Sequence, residues 1–292
     1  MIRVPVRSRG RPGPAWVEPL ACRPKILIFY GSPMSPTFSQ VATGVLTGAA
    51  VSSQVAYPLL RGKGLHRLTI GSVAVFCGAS IGDAGRRGGA RGAVTTLATA
   101  GGLGLLAEVV GTKSGRIFGK YRYAGTLGPQ VLDVPVVVPL AWTMMAGPAL
   151  QLGRHLARDQ PTGRRDVVAV ATAAWTLASW DLFLDPQMTA AGHWSFGEPH
   201  PHLPGAPGIP ISNYLGWLGT AALICTVLHR VVPEHPDTQQ TVPAILLGWT
   251  WVGSTLANAA FFRRPLVAVY GGVAMGTTVL PYLRSVLRRR AS

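Results

Sequence analysis

Acidic residues are scarce in this chain: 11 Asp and Glu stand against 27 Lys and Arg. Charged residues of both signs make up only 13% of the sequence, and the mean hydropathy is +0.30. An ordinary soluble domain carries roughly 25% charge, so a soluble globule is a poor fit. Cysteine is equally short. Cys77 and Cys225 fall inside apolar runs and Cys22 near the N-terminus, with no metal-like spacing. That excludes a disulfide framework and leaves small buried hydrophobes as the reading. No Walker-type phosphate loop and no Gly-x-Ser-x-Gly elbow occurs. Gly101-Gly102-x-Gly104 has no βαβ unit around it, so it is not a dinucleotide fingerprint. The Asp-x-x-x-Asp spacing occurs once, at Asp181 and Asp185, without the second copy that prenyl synthases use to hold magnesium diphosphate. There is no internal repeat of the kind that marks inverted-repeat transporters. The apolar stretch Ile26 to Tyr30 is too short for the core of a secretory signal.

Glycine (36) and proline (24) are abundant in this hydrophobic chain. Both residues are more frequent in membrane helices than in soluble ones. A span needs about 20 mostly apolar residues, and candidates run at 38–60, 67–84, 92–111, 132–152, 166–185, 211–232, 241–261 and 265–283. The expectation is an all-α, polytopic membrane bundle of about eight transmembrane helices. A flexible basic, Arg/Pro-rich tail is expected over 1–36, the helical domain over 37–285, and a basic C-terminal tail over 286–292. The last two spans are parted only by Arg263, Arg264 and Pro265, which allows a tight hairpin or one broken helix. Small residues four apart, at Gly44/Gly48, Ala100/Gly104 and Gly272/Gly276, suit close helix approach in lipid, although a Gly-rich chain produces such pairs by chance.

The net charge of +16 is spread through the ends and the short segments between spans. That pattern fits anionic lipid and topology control rather than nucleic acid. With eight spans and the N-terminus inside, the inner segments hold the excess of Lys and Arg, which puts both termini in the cytoplasm and the chain in the plasma membrane as a multi-pass protein. The loop carrying Lys113, Arg116, Lys120 and Arg122 breaks the count.

The few acids gather on one membrane side. Glu108 lies near the end of the third span, Asp133 opens the fourth, Asp181 and Asp185 close the fifth, and Asn213 opens the sixth. In an up-and-down bundle these ends coincide, together with the long connections 112–131 and 186–210. Asp181 and Asp185 are one helical turn apart and share a face. Two carboxyls that close in a low dielectric cannot both ionise easily, so one is expected to hold a proton, the equipment of general acid–base chemistry. The alternative is a structural network in which the pair binds Arg116, Lys120 or Arg122. Asp185 precedes Pro186 and is also a candidate helix cap. Trp175, Trp180, Phe183, Trp194, Phe196, Tyr214 and Trp217 crowd the pair. They fit either an interfacial aromatic belt or a pocket for a flat apolar ligand or a cation. His193, Glu198, His200 and His202 lack recognised ligand spacing, so no metal is expected, and His193 is read as a hydrogen-bonding or proton-shuttling partner.

Three blocks carry a family resemblance: GKYRYAGTLGPQVLDVPVVVPLAWTMM (119–145), WDLFLDPQMTAAGHW (180–194) and GIPISNYLGW (208–217). In them the sequence resembles the CruF-type membrane carotenoid biosynthesis proteins, carotenoid 1,2-hydratases of bacteria and haloarchaea. The resemblance implies addition of water to the terminal double bond of an acyclic carotenoid end group, giving a tertiary alcohol, and that chemistry requires no organic cofactor or metal. The substrate is lipid-soluble, so membrane lipids surround the enzyme, and other carotenoid enzymes are candidate partners. Hydration needs a proton donor, a stabilised tertiary cation and a directed water. The residues matched to those needs are Asp181 as donor, Asp185 or His193 to orient water, and Glu108 and Asp133 as further acids. Tyr121, Arg122, Tyr123, Trp142, Trp180, Trp194, Asn213, Tyr214 and Trp217 are the candidates for lining the substrate. A proton-coupled transporter using the same acids as a relay, or a non-catalytic scaffold of a carotenoid pathway complex, are the competing readings.

Overall fold

A computed structural model describes residues 36–198, 200–234 and 239–291. The expected tail over 1–36 lies almost wholly outside the described residues, as does Cys22. The helices are α1 (Pro36–Ala56), α2 (Gly62–Thr96), α3 (Gly102–Ser114), α4 (Val137–Ala157), α5 (Thr162–Ala190), α6 (Ile211–Val231), α7 (Thr241–Leu256) and α8 (Pro265–Ala291). Single π-helical turns follow α2 (Leu97–Gly101) and α7 (Ala257–Phe261). Four short strands complete the elements: β1 (Tyr121–Tyr123), β2 (Gln130–Val131), β3 (Val134–Pro135) and β4 (Trp194–Phe196).

The protein is a helical membrane bundle. Five helices among the described residues are long and apolar enough to cross a bilayer: Gly62–Ser114, Thr162–Ala190, Ile211–Val231, Thr241–Phe261 and Pro265–Arg289. The first is 53 residues in length, far beyond the roughly 20 that one crossing takes, and it is broken. Gly88 and Gly89 leave helical geometry, Gly89 at φ 62° and ψ −165°, a region essentially reserved for glycine. A Cβ on Gly92 would lie 2.8 Å from the Ala84 carbonyl oxygen, so the chain doubles back there, between the second and third expected spans.

Helix α4 sits in the middle, packed on α2, α5, α6, α7 and α8. Fifteen of its 21 residues are buried, so protein rather than lipid surrounds it and it need not be uniformly apolar. Elsewhere large aliphatics face outward, among them Val45, Leu106, Val167, Leu223, Val252 and Val273. In water so much exposed apolar surface would be a liability; in a bilayer it is the solvent-facing surface. Helices α7 and α8 form a tight hairpin through Arg263 at φ 54°, with the Trp251 indole donating to the Gly272 carbonyl at 2.8 Å. Of the small-residue pairs, Gly104 and Gly272/Gly276 meet neighbouring side chains closely, whereas Gly44 and Gly48 meet nothing within 4 Å. Helix α8 continues to Ala291, through residues expected as a tail.

Candidate active site

The two long connections close over one end of the bundle. β1 pairs antiparallel with β4 in the register Tyr121↔Phe196, Arg122↔Ser195 and Tyr123↔Trp194. Strand side chains alternate, so Tyr121 and Tyr123 turn inward while Arg122 is exposed. The Lys120–Glu198 pair at 2.7 Å straps the same ribbon from outside, both side chains exposed; at such exposure the pair adds little to stability.

Below the ribbon lies a cavity of about 200 Å³. Two acid sites, with three carboxyl groups between them, sit in contrasting settings there. Glu108 of α3 accepts from the Tyr121 hydroxyl, from the Tyr123 hydroxyl at 2.8 Å and from the Trp142 indole at 3.1 Å. Burial first, and then the Glu108 charge, hold both tyrosines well above the ordinary phenol value, so each keeps its proton and donates. Room for the Trp142 ring comes from Gly104, where a Cβ would approach the ring to 2.6 Å. Across the cavity, the Asn213 amide nitrogen donates to Asp181 Oδ2 at 2.9 Å and to Asp185 Oδ2, and so holds the two carboxyls side by side. The Trp194 indole donates to Asp185 Oδ1 at 2.9 Å, while Asp181 Oδ1 is buried without a hydrogen-bond partner among the described residues. Among the described residues no cation pairs with any of these three acids; Lys120 is taken by Glu198, and Arg116 and Arg122 are exposed.

Tryptophans form the walls between these groups. Trp142 stacks on Trp217 at 4.0 Å and 20°, and Trp180 meets Trp217 edge-on at 6.0 Å. The cavity then runs past Phe183 and Met188 to α7 and α1, where Trp249, Asn258 and Tyr57 line it.

The sequence-derived candidates divide as follows. Asp185, Glu108, Asn213, Tyr121, Tyr123, Trp142, Trp180, Trp194 and Trp217 all line the cavity. Asp181 is fully buried behind Asp185 and is not a lining residue. Asp185 does not cap a helix end: α5 runs through Pro186 to Ala190 and Asp185 is 2% exposed, because neighbouring groups in a packed bundle can compensate the hydrogen bond that proline removes. Asp133 is exposed at the β2–β3 turn, where Leu132 and Asp133 take φ of 53° and 68°. It serves a left-handed hairpin turn and stands apart from the acids. Arg122 points away from the cavity, as strand alternation requires. Tyr214 does not line it either, and its buried hydroxyl has no hydrogen-bond partner among the described residues. His193 lies outside the cavity lining, its Nδ1 2.7 Å from the Thr126 hydroxyl and its ring 4.9 Å from that of His66. Burial, then the charge of His66, pushes His193 down to about 4, so it is a neutral brace for the ribbon at pH 7. The α1 and α7 wall was not foreseen. Asn258, a polar residue inside an apolar helix, was the available signal for it.

A curated relative, the bisanhydrobacterioruberin hydratase of Haloarcula japonica, is 32% identical over 123 residues, covering 40% of this chain and 39% of the relative. The chain thus aligns with about two fifths of that protein's length. No solved structure matches the chain. The carotenoid biosynthesis protein family matches across residues 64–279, a stretch that takes in the broken helix, the ribbon, both acid clusters and most of α8, and the chain belongs to that family.

Proposed function

We propose that the protein is a carotenoid hydratase of the cell membrane, adding water across the terminal double bond of an acyclic carotenoid end group to give a tertiary alcohol. The observation that carries this reading is the pairing, in one aromatic cavity, of a carboxyl dyad that lacks a counter-cation among the described residues with a separate carboxylate held by three neutral donors. The similar hydratase adds support, since its name describes the same type of reaction on a carotenoid.

Asp181 and Asp185, side by side with only one amide between them, hold one proton in common, because two adjacent buried carboxylates repel. Asp185 faces the cavity and delivers that proton to the less substituted alkene carbon. The resulting tertiary cation lies among the faces of Trp142, Trp180 and Trp217. Glu108 remains an anion, since three of its roughly four acceptor positions are filled by donors, and its charge favours the cation. The remaining position accepts a hydrogen from the attacking water. Water adds to the tertiary carbon, and its released proton returns to the dyad, so the net change is one water added and the enzyme is restored. Donation through Asp185, with Asp181 as its proton-sharing partner, replaces the expectation that Asp181 donates alone, because only Asp185 lines the cavity.

Expression in a host that accumulates an acyclic carotenoid tests the proposal. Extracted pigment is expected to gain the mass of one water, and in deuterium oxide one carbon-bound deuterium per hydrated end. Unchanged pigment, with the protein abundant in the membrane, would overturn it in favour of a carrier or scaffold.

A further inference from the structure

A second cavity, of about 260 Å³, lies at the opposite end of α4 and α6 from the acids, beside the Gly88–Gly89 break. Its polar wall comes from Asp83, Arg87, Arg91, Thr95 and Gln151. Asp83 is bound by two guanidiniums at once, Arg87 Nε at 2.7 Å and Arg86 Nη1 at 3.4 Å. Arg87 Nη2 donates to the Gln239 carbonyl at 2.6 Å. Its remaining nitrogen, Nη1, is buried with no hydrogen-bond partner among the described residues, on a side chain only 8% exposed.

A guanidinium is permanently charged and carries five donors in a fixed fork. Burying one with a donor unsatisfied is costly, and the cost is offset if an acceptor occupies the cavity. Among the described residues the local charge is positive. One carboxylate faces Arg86 and Arg87, and Arg91 adds a third cation. Arg154 packs nearby, donating to the carbonyl oxygens of His229, Val232 and Pro233 and to the His229 ring. Of the described acids next in range, Glu234 pairs with Arg165 and Asp166 meets the His229 ring. The helix that restarts after Gly89 adds the positive end of its dipole, with Gly92 in the wall.

We infer that this cavity binds a phosphate-type oxyanion, supplied by the headgroup of an anionic phospholipid or by free phosphate, through Arg87 Nη1 and Arg91. The bilayer end of a bundle is where phospholipid phosphates lie, and basic pockets between membrane helices suit them. A carotenoid hydrocarbon has no use for such a site, so the inference stands independently of the hydration chemistry.

The test uses the full chain purified in zwitterionic detergent, with its unfolding midpoint measured in three additions: phosphatidylglycerol, phosphatidylcholine, and inorganic phosphate against chloride of equal ionic strength. Phosphatidylglycerol or phosphate is expected to raise the midpoint by about 5 °C near saturation, and phosphatidylcholine not at all. A shift with the lipid alone assigns a headgroup; a shift with phosphate assigns the free anion; either supports the site. Arg87→Gln should abolish the shift, but it also breaks a buried ion pair and can cost folding. Arg91→Gln, at an exposed position, carries the test as the second variant and should lose at least half of it. No shift in the wild type with either anion, or an undiminished shift in Arg91→Gln, would overturn the inference.

Discussion

Two acid sites face each other across the cavity, and they differ in what surrounds the carboxyl oxygens. Glu108 receives two phenols and an indole. Asp181 and Asp185 share a single amide, with one indole besides, and one Asp181 oxygen receives nothing from the described residues. The difference teaches how one buried pocket can run acid and electrostatic chemistry together. In the proposed reading, the donors around each carboxyl set which one keeps a proton and which stays charged.

The comparison breaks first at the dyad. Asp185→Asn keeps the shape but removes the proton, and hydration is expected to fall by about 10²–10⁴, the usual worth of a general acid. Asp181→Asn should fall nearly as far, since the dyad then has no second carboxyl to share with. Pigment yield at equal protein abundance checks both. Glu108→Gln removes a charge without removing a donor acid, and a loss of about 10² is expected. Tyr123→Phe withdraws one of the three Glu108 donors and should cost about tenfold. If Tyr123→Phe were as damaging as Asp185→Asn, the assignment of the two sites would be reversed.

The smallest effect concerns the ribbon above both sites. His193 is held down to about 4 from an ordinary 6.5 by burial and by His66. In the unfolded chain it binds a proton as the pH falls through 6.5, whereas the folded protein resists until about 4. Stability therefore decreases on acidification across that window and is insensitive to His193 above it. Melting temperatures at a series of pH values should show a shallower acid slope in His193→Gln.

Much of the bundle was legible because lipid imposes one rule: apolar runs of span length, separated by basic turns. Scarcity made the acids legible too, since few polar groups in such a chain are without a task. The division of labour among them was not legible. Asp133 and Asp185 both sit at span ends in the sequence, yet one occupies a hairpin turn and the other faces the cavity, and only three-dimensional closure separates them. The inward turn of Tyr121 and Tyr123 follows from alternation once β1 is known, but β1 exists only through pairing with β4, some 70 residues onward. Trp142 reaches Glu108 across 34 positions, a relation that no local pattern encodes.

In the proposed reaction, hydration turns on a proton delivered from the Asp181–Asp185 dyad to an alkene. Its most direct measurement is deuterium incorporation into an acyclic carotenoid by membranes in deuterium oxide, comparing wild type with Asp185→Asn at matched abundance. The prediction is one carbon-bound deuterium and one hydroxyl per reacted end group in the wild type, with both lost together in the variant. Wild-type rates of deuterium and hydroxyl gain in Asp185→Asn would contradict it.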